Sequence, residues 1–374
     1  MIARAKINPK MMEWARLHAG FTNGYEENLP IEIKRRYEKW ENGDTSPTWK
    51  QLRNTSQKFN VPTAFFFMEE PPIIDKLPTL INYRKLDLDS IYEEKSPELI
   101  ESIRKSERRR SIFIELSEEL SEELVKFETP NLPQNKIIFS KYIREILDIP
   151  LETQKSWYNE KKHYSFLNNW KEVITNKLGI LIFETEGVDI NEMRGLCILH
   201  ELAPIILLNG KDTPNGRIFT LFHELTHLLL GESAICGDDL DRDIEVFCNS
   251  VAGEFLVPKE DLLKNINNSV KDLSNNYGVS PHVIYRRLLD TKKITQDEYD
   301  LNTEYDFEGD TDDNEGPRGN YLYNQIKYNG RPFYSLVLDA YDYGIISPIE
   351  FSKYTNLGQK QIPKLQELLF GGEQ

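Results

Sequence analysis

Residues 217–231 read RIFTLFHELTHLLLG, and at their centre stands His223-Glu224-Leu225-Thr226-His227, an H-E-x-x-H motif. On a helix, positions i and i+4 lie one above the other on a single face, so two imidazoles converge on one cation from a rigid element, as zinc requires. Glu224, next to the first histidine, is placed to act as general base toward a water at such a metal. Thr213-Pro214-Asn215-Gly216 supplies helix-start signals and Gly231 a stop. The motif also arises by chance on surface helices. Here Phe219, Leu221, Phe222, Leu225, Leu228, Leu229 and Leu230 make the helix apolar on most sides. Polar groups buried in such a helix need partners, because leaving them unpaired is costly. A metal supplies one.

The chain has 374 residues, enough for two or three domains, and its 39% hydrophobic content is compatible with packed cores. No apolar run approaches the roughly 18 residues of a membrane span, and the start of the chain lacks the apolar core of a signal peptide. Cys197, Cys236 and Cys248 show neither zinc-finger spacing nor a disulfide framework. A reduced, cytoplasmic protein is expected. The net charge of −15 argues against a globally nucleic-acid-binding surface. Charge is segregated, however: residues 1–62 carry eleven Lys or Arg against seven Asp or Glu, and the acidic excess lies beyond them. That asymmetry marks a separate front module.

Within that module Pro9–His18 is expected to be helical, with Met11, Trp14 and Ala15 facing inward. A helix from Ile33 to Trp40, an Asn42-Gly43 turn and a helix opening at Pro47-Thr48-Trp49-Lys50 and running to Phe59 follow. The stretch YEKWENGDTSPTWKQLRNTSQKFNVPTAFFF resembles the second half of an XRE-like helix-turn-helix repressor domain, which implies a module over residues 1–70. Phe21–Ile31, with its own Asn-Gly and Pro30, departs from the pattern where a reading helix would be presented. Lys34, Arg35, Arg36 and Lys39 are placed either to touch phosphates of duplex DNA or to form the solvated face of a packing helix.

Residues 71–130 read as a linker and one long helix from Ser96 to Phe127, in which the Arg108-Arg109-Arg110 run is interleaved with acids as a solvated face. Residues 134–179 look helical. Short apolar runs at 180–183, 196–199 and 204–208 then read as three strands leading into the motif helix. The fold class expected is mainly α with a small β-sheet (α+β).

A catalytic zinc normally has three protein ligands and one open position. The next helix, read as Asp239–Val257, offers Glu245 as the third ligand, with Asn249 one turn on, able to hydrogen-bond a ligand histidine. Glu254 is a rival better suited to a salt bridge in the core, and His200 and His282 are weaker ligand candidates.

MRGLCILHELAPIILLNGKDTPNGRIFTLFHELTHLLLG followed by EVFCNSVAGEFLVP resembles the ImmA/IrrE family of zinc metallopeptidases. The resemblance implies a zincin-like domain, placed at residues 131–303, with His223, His227 and Glu245 as Zn2+ ligands and Glu224 as catalytic base. It also implies a sheet whose edge strand receives the substrate backbone. The implied substrate is a dedicated repressor or similar regulatory protein in a transcriptional, mobile-element or toxin–antitoxin circuit. His282 and Tyr285 are candidates for stabilising the oxyanion. A DNA-binding regulator or antitoxin with a structural or vestigial metal site is the alternative.

Downstream, Leu262–Leu289 reads as two helices, the second capped by Ser280 and opened by Pro281. The acidic stretch 304–319 is expected to be a mobile loop, its spacing unlike an EF-hand. Residues 304–374 read as an accessory region with a hairpin at Asn329-Gly330, a helix from Pro332 to Tyr343, and closing helices.

Overall fold

The structure is a computed structural model and describes residues 3–22, 24–72, 95–158, 163–231, 234–235, 242–304 and 321–370. It is mainly helical with one small sheet, as the sequence predicts. The chain divides into two compact units, Met1–Glu107 and Arg108–Gln374.

In the first unit, α1 (Pro9–His18) starts at Asn8, whose side chain accepts from the Lys10 amide. Met11, Met12 and Ala15 are buried, whereas Trp14 is half-buried and stacks on His18. The expected helix over Ile33–Trp40 is instead two short ones, α2 (Ile31–Lys34) and α3 (Tyr37–Glu41). Pro30 sets the earlier start, and Arg36 leaves helical angles at φ −136° and ψ −17°. Helix α4 (Trp49–Lys58) opens with a capping box in which Thr48 and Gln51 bond reciprocally. A 3-10 turn at Thr63–Phe67 brings Phe66 into the same apolar cluster as Met12, Phe21, Trp40, Leu52 and Phe59.

Helix α5 (Pro97–Glu119) is shorter than expected. It ends because Ser121 turns left-handed at φ +57° and the Glu122 amide reaches back to the Ser117 carbonyl, a Schellman-type stop without glycine. The chain then extends, and the Phe127 amide bonds the Glu201 carbonyl.

The second unit continues with α6 (Lys136–Leu147), α7 (Leu151–Trp157) and α8 (His163–Leu178), then β1 (Leu181–Thr185), β2 (Gly195–Ile198) and β3 (Ile205–Asn209). These match the three expected strands. After α9 (Pro214–Leu229) comes β4 (Ala234–Ile235), which the sequence reading missed. The sheet order is β1-β3-β2-β4, with β1 parallel to β3 and β2 antiparallel to both neighbours. Every residue of β1, β2 and β3 is buried, which explains their unbroken apolar runs.

Helix α10 (Arg242–Leu256) packs on α9; residues 239–241 of the expected Asp239 start lie outside the described residues, as does Cys236. Trp170, Phe222 and Phe255 lock α8, α9 and α10 together, with ring centroids 4.9 Å apart for Trp170–Phe222 and 4.2 Å for Phe222–Phe255. Three helices replace the two expected over 262–289: α11 (Lys259–Lys264), α12 (Val270–Tyr277) and α13 (Pro281–Asp290). Ser280 caps α13 as read, its hydroxyl accepting from the Val283 amide.

Helices α14 (Gln296–Glu304), α15 (Tyr321–Asn329), α16 (Arg331–Asp342), α17 (Pro348–Thr355) and α18 (Ile362–Phe370) complete the unit. The expected acidic loop lies, beyond Glu304, outside the described residues. The expected hairpin at Asn329-Gly330 is a helix-to-helix junction. Gly330, at φ +80°, sits so close to β1 that a Cβ there would lie 3.0 Å from the Ile182 carbonyl oxygen. An Asn-Gly pair permits a left-handed reversal between any two elements, and here tertiary packing selects helices.

Candidate metal centre

Helix α9 begins where its sequence says it should. The Thr213 hydroxyl accepts from the Gly216 amide, Pro214 occupies the first turn, and Gly231 at φ +80° follows the last turn. The helix is buried along nearly its whole length, so its polar side chains must be satisfied from within the fold.

His223 and His227 turn their Nε2 atoms toward each other, 3.1 Å apart. Glu245, from the first turn of α10, completes the cluster: Oε2 lies 3.3 Å from His223 Nε2, and Oε1 lies 3.1 Å from His227 Nε2. One potential ligand atom from each of the three residues lies within 4.8 Å of the others. Both histidines are buried and the carboxylate is partly exposed. Burial opposes ionisation of Glu245, yet hydrogen bonds and charge from His223 and His227 outweigh it and hold the carboxyl at about 2. Two imidazoles and an ionised carboxylate form a donor set that fits a borderline-soft divalent cation such as zinc. Among the described residues this is the one such group, and it has three members.

Asn249, one turn beyond Glu245, places Oδ1 3.0 Å from His223 Nδ1. A carboxamide oxygen only accepts, so the ring carries its proton on Nδ1 and leaves the Nε2 lone pair directed into the cluster. Glu224 is fully buried beside β2. A Cβ on Gly195 would lie 2.9 Å from Glu224 Oε1 and 2.4 Å from Thr220 Cγ2, so any side chain there would have to displace one or both. Glu254 faces elsewhere, pairing with the buried Arg287, as its core-salt-bridge reading anticipates.

The weaker sequence candidates do not join this group. His200 is exposed and bonds the Leu202 backbone, and His282 is exposed with its ring nitrogen 3.0 Å from the Tyr299 hydroxyl. Tyr285 packs at the margin of the apolar core. In the first unit, Lys34 pairs with Glu27, while Arg35, Arg36 and Lys39 are exposed.

Three features escaped the sequence reading. Gly195 is one. The second is a buried charge cluster in which Glu184 of β1 meets Lys171 of α8, Arg217 of α9 and, at 3.9 Å, Lys327 of α15. Burial opposes ionisation of Glu184, and the three cations overcome it and pull its carboxyl down. A lone arginine at the head of the apolar stretch 218–222 was the available signal for Arg217. The third is Cys248, fully buried on α10. Burial pushes its thiol up, against the pull of His227.

Residues 175–289 match the family model described as Peptidase_M78, IrrE N-terminal-like domain. The matched stretch runs from the end of α8 through nearly all of α13 and holds the whole sheet and both helices of the centre, which supports a peptidase. No curated protein and no solved structure gives a significant match.

Proposed function

We propose that this chain is a zinc-dependent endopeptidase acting on a dedicated regulatory protein, a repressor or similar component of a transcriptional, mobile-element or toxin–antitoxin circuit. The observation that carries the reading is the convergence of His223, His227 and Glu245 at a group of three, with the buried Glu224 carboxylate next in sequence to the first ligand. Three ligands leave a coordination position for substrate, which favours catalysis over a purely structural site.

A zinc ion bound there supplies Lewis-acid polarisation of a peptide carbonyl and makes an attacking water acidic near neutral pH. Glu224 takes the proton of that water on a carboxylate oxygen and returns it to the leaving amine. Gly195 gives the carboxylate its place against β2. Asn249 keeps the His223 proton on Nδ1. The inferred modules are a helix-turn-helix over residues 1–70, a linker with a long helix over 71–130, the zincin-like peptidase over 131–303, and an accessory region over 304–374. Duplex DNA is an inferred partner of the first, through Lys34, Arg35, Arg36 and Lys39.

The test is a comparison of newly exposed protein N-termini in cells expressing the wild-type chain or Glu224→Gln. A cleavage product present only with wild type, together with zinc retained in the variant, is expected. Identical N-termini in both, with zinc bound in both, would leave a metal-binding regulator as the better description.

A further inference from the structure

We propose that Arg217 and Glu184 are positioning residues for the Glu224 carboxylate: their ion pair fixes how α9 is turned and seated on the sheet. The inference rests on the peptidase reading above and concerns how the chain aims its general base.

Glu184 of β1 pairs with Leu208 of β3, and Leu208 pairs in turn with Gly195 of β2, so the three form one row across the sheet. Residues directly opposite on neighbouring strands direct their side chains to the same face. At one end of the row, Glu184 Oε2 meets Arg217 Nη1 at 2.5 Å. At the other end α9 takes the space over Gly195, where a Cβ would lie 2.4 Å from Thr220 Cγ2, 2.9 Å from Glu224 Oε1 and 3.1 Å from Glu224 Cγ. One helix face serves both ends. Arg217, Thr220 and Glu224 stand at i, i+3 and i+7, and Glu224 returns to within about 20° of the direction of Arg217. The rise between those two residues is about 10 Å. Two strand spacings carry β1 to β2 over about 9.5 Å. The row thus meets the face that bears the base at two points, one an ion pair and the other a missing side chain.

The two kinds of contact do different things. Apolar burial is non-directional and specifies area rather than angle. A charge-assisted hydrogen bond is short and directional, and a buried ion pair is better attested as a device for register than as a source of stability. With Arg217 held at β1, rotation of α9 about its axis is restrained, and the carboxylate two turns on stays over Gly195. Arg217 is not a member of the converging metal group, so it acts through the helix.

The experiment measures the affinity of the zinc-loaded full chain for acetohydroxamic acid by titration calorimetry. This probe chelates a metal through two oxygens and gives up a proton that a neighbouring carboxylate accepts, so its affinity reports where Glu224 sits. Wild type, Arg217→Met, Arg217→Lys and Glu224→Gln are compared, together with each Arg217 change in the Glu224→Gln background. Ile143→Ala, a truncation in the apolar core on α6, reports lost packing alone. Glu224→Gln should weaken binding by about 10–100-fold, the worth of a hydrogen bond to a charged group, and Arg217→Met should cause a loss of the same order. Arg217→Lys keeps a cation on Glu184, so it should fold as wild type does and lose less. In the Glu224→Gln background neither change at Arg217 should matter beyond about twofold, because only independent sites add. Ile143→Ala should lower the melting temperature and leave the affinity alone. Wild-type affinity in every Arg217 variant that folds overturns the proposal, as do losses that persist in full without Glu224. A chain that binds no zinc, or binds the hydroxamate equally well as wild type and as Glu224→Gln, would remove the peptidase reading and this inference together. Binding that responds to Glu224 and not to Arg217 would remove this inference alone.

Discussion

Glu184 of β1 and Arg217 in the first turn of α9 form an ion pair in which each side chain is 1% exposed. The pair ties the helix that bears both histidines to the sheet, with Lys171 and Lys327 on the same carboxylate. The arrangement is asymmetric, since one anion serves three cations. Removing the anion takes a shared partner from three cations at once, whereas removing Arg217 leaves Glu184 with two partners.

Glu184→Gln should therefore destabilise the chain by about 3–5 kcal/mol, the usual cost of leaving buried charge uncompensated. Arg217→Met should cost less, about 1.5–3 kcal/mol, the range for a hydrogen bond to a charged group. Urea unfolding followed by tryptophan fluorescence measures both, and equal losses would contradict the asymmetry. Because the folded Glu184 carboxyl is held below its ordinary value, its contribution is present above that value and fades as pH falls through the folded one.

Two glutamates on one helix separate metal binding from stability. Glu245→Ala should abolish tight zinc binding with little loss of fold, because Glu245 is partly exposed and its partners are the two histidines. Glu254→Ala should keep zinc but destabilise by about 1.5–3 kcal/mol, since Arg287 loses its nearer carboxylate and keeps Asp290, at 3.5 Å, and the Val257 carbonyl. Elemental analysis alongside thermal melts distinguishes them, and zinc loss in Glu254→Ala would exchange the two assignments.

Gly195→Ala should lower cleavage more than zinc content. Its methyl group would press on Thr220 Cγ2 and on Glu224 Oε1 and push the carboxylate from its place. A fall in kcat of about 10²–10⁴, the worth of a general base, is the upper range if Glu224 is fully displaced. An unaltered rate would mean that the neighbouring side chains yield without consequence.

The elements that sequence made legible are those fixed by adjacent residues. Pro9–His18 follows from Asn8 and Pro9, α13 from Ser280 and Pro281, and the strands from apolar runs bounded by polar turns. His223 and His227 are legible for the same reason, since one helical turn relates them. Glu245 and Asn249 needed the spacing of a second helix. What stayed hidden depends on partners far along the chain. Arg217 looks like a solvated helix-start cation until Glu184 meets it, and Gly195 looks like a turn residue until Glu224 fills its missing side chain. The end of α5 was hidden differently: Ser121 takes the left-handed conformation usually given to glycine.

His18 should titrate near 4 in the folded chain, far below its ordinary 6.5, because burial disfavours its charged form and Arg104 adds repulsion. Between those values the unfolded chain binds a proton that the folded one refuses, so stability falls as pH drops through this window. NMR titration of the ring protons reads the pKa directly. A normal value near 6.5 would show that the His18 ring is solvated in solution and that Arg104, with Nη2 3.0 Å from His18 Nδ1, turns away from it.

Binding of the full chain to duplex DNA should be weak and steeply salt-dependent, because each neutralised phosphate releases counterions. Arg35→Ala with Arg36→Ala should reduce both affinity and salt slope, as both guanidinium groups are exposed. Fluorescence anisotropy across a salt series is the measurement. No binding at low salt would leave residues 1–70 as a protein-contact module.

The ligands of the centre come from two helices, and neither helix alone can present all three. A cation that recognises only their juxtaposition acts as a thermodynamic clamp on the folded chain. At a free concentration a hundred times its dissociation constant it adds about 2.7 kcal/mol to the folding free energy. Metal scarcity would thus act on abundance as well as on rate, since a chain that opens between α9 and α10 more often is exposed more often to proteolytic turnover. The half-life of a protein clamped in this way becomes a gauge of the metal available to it.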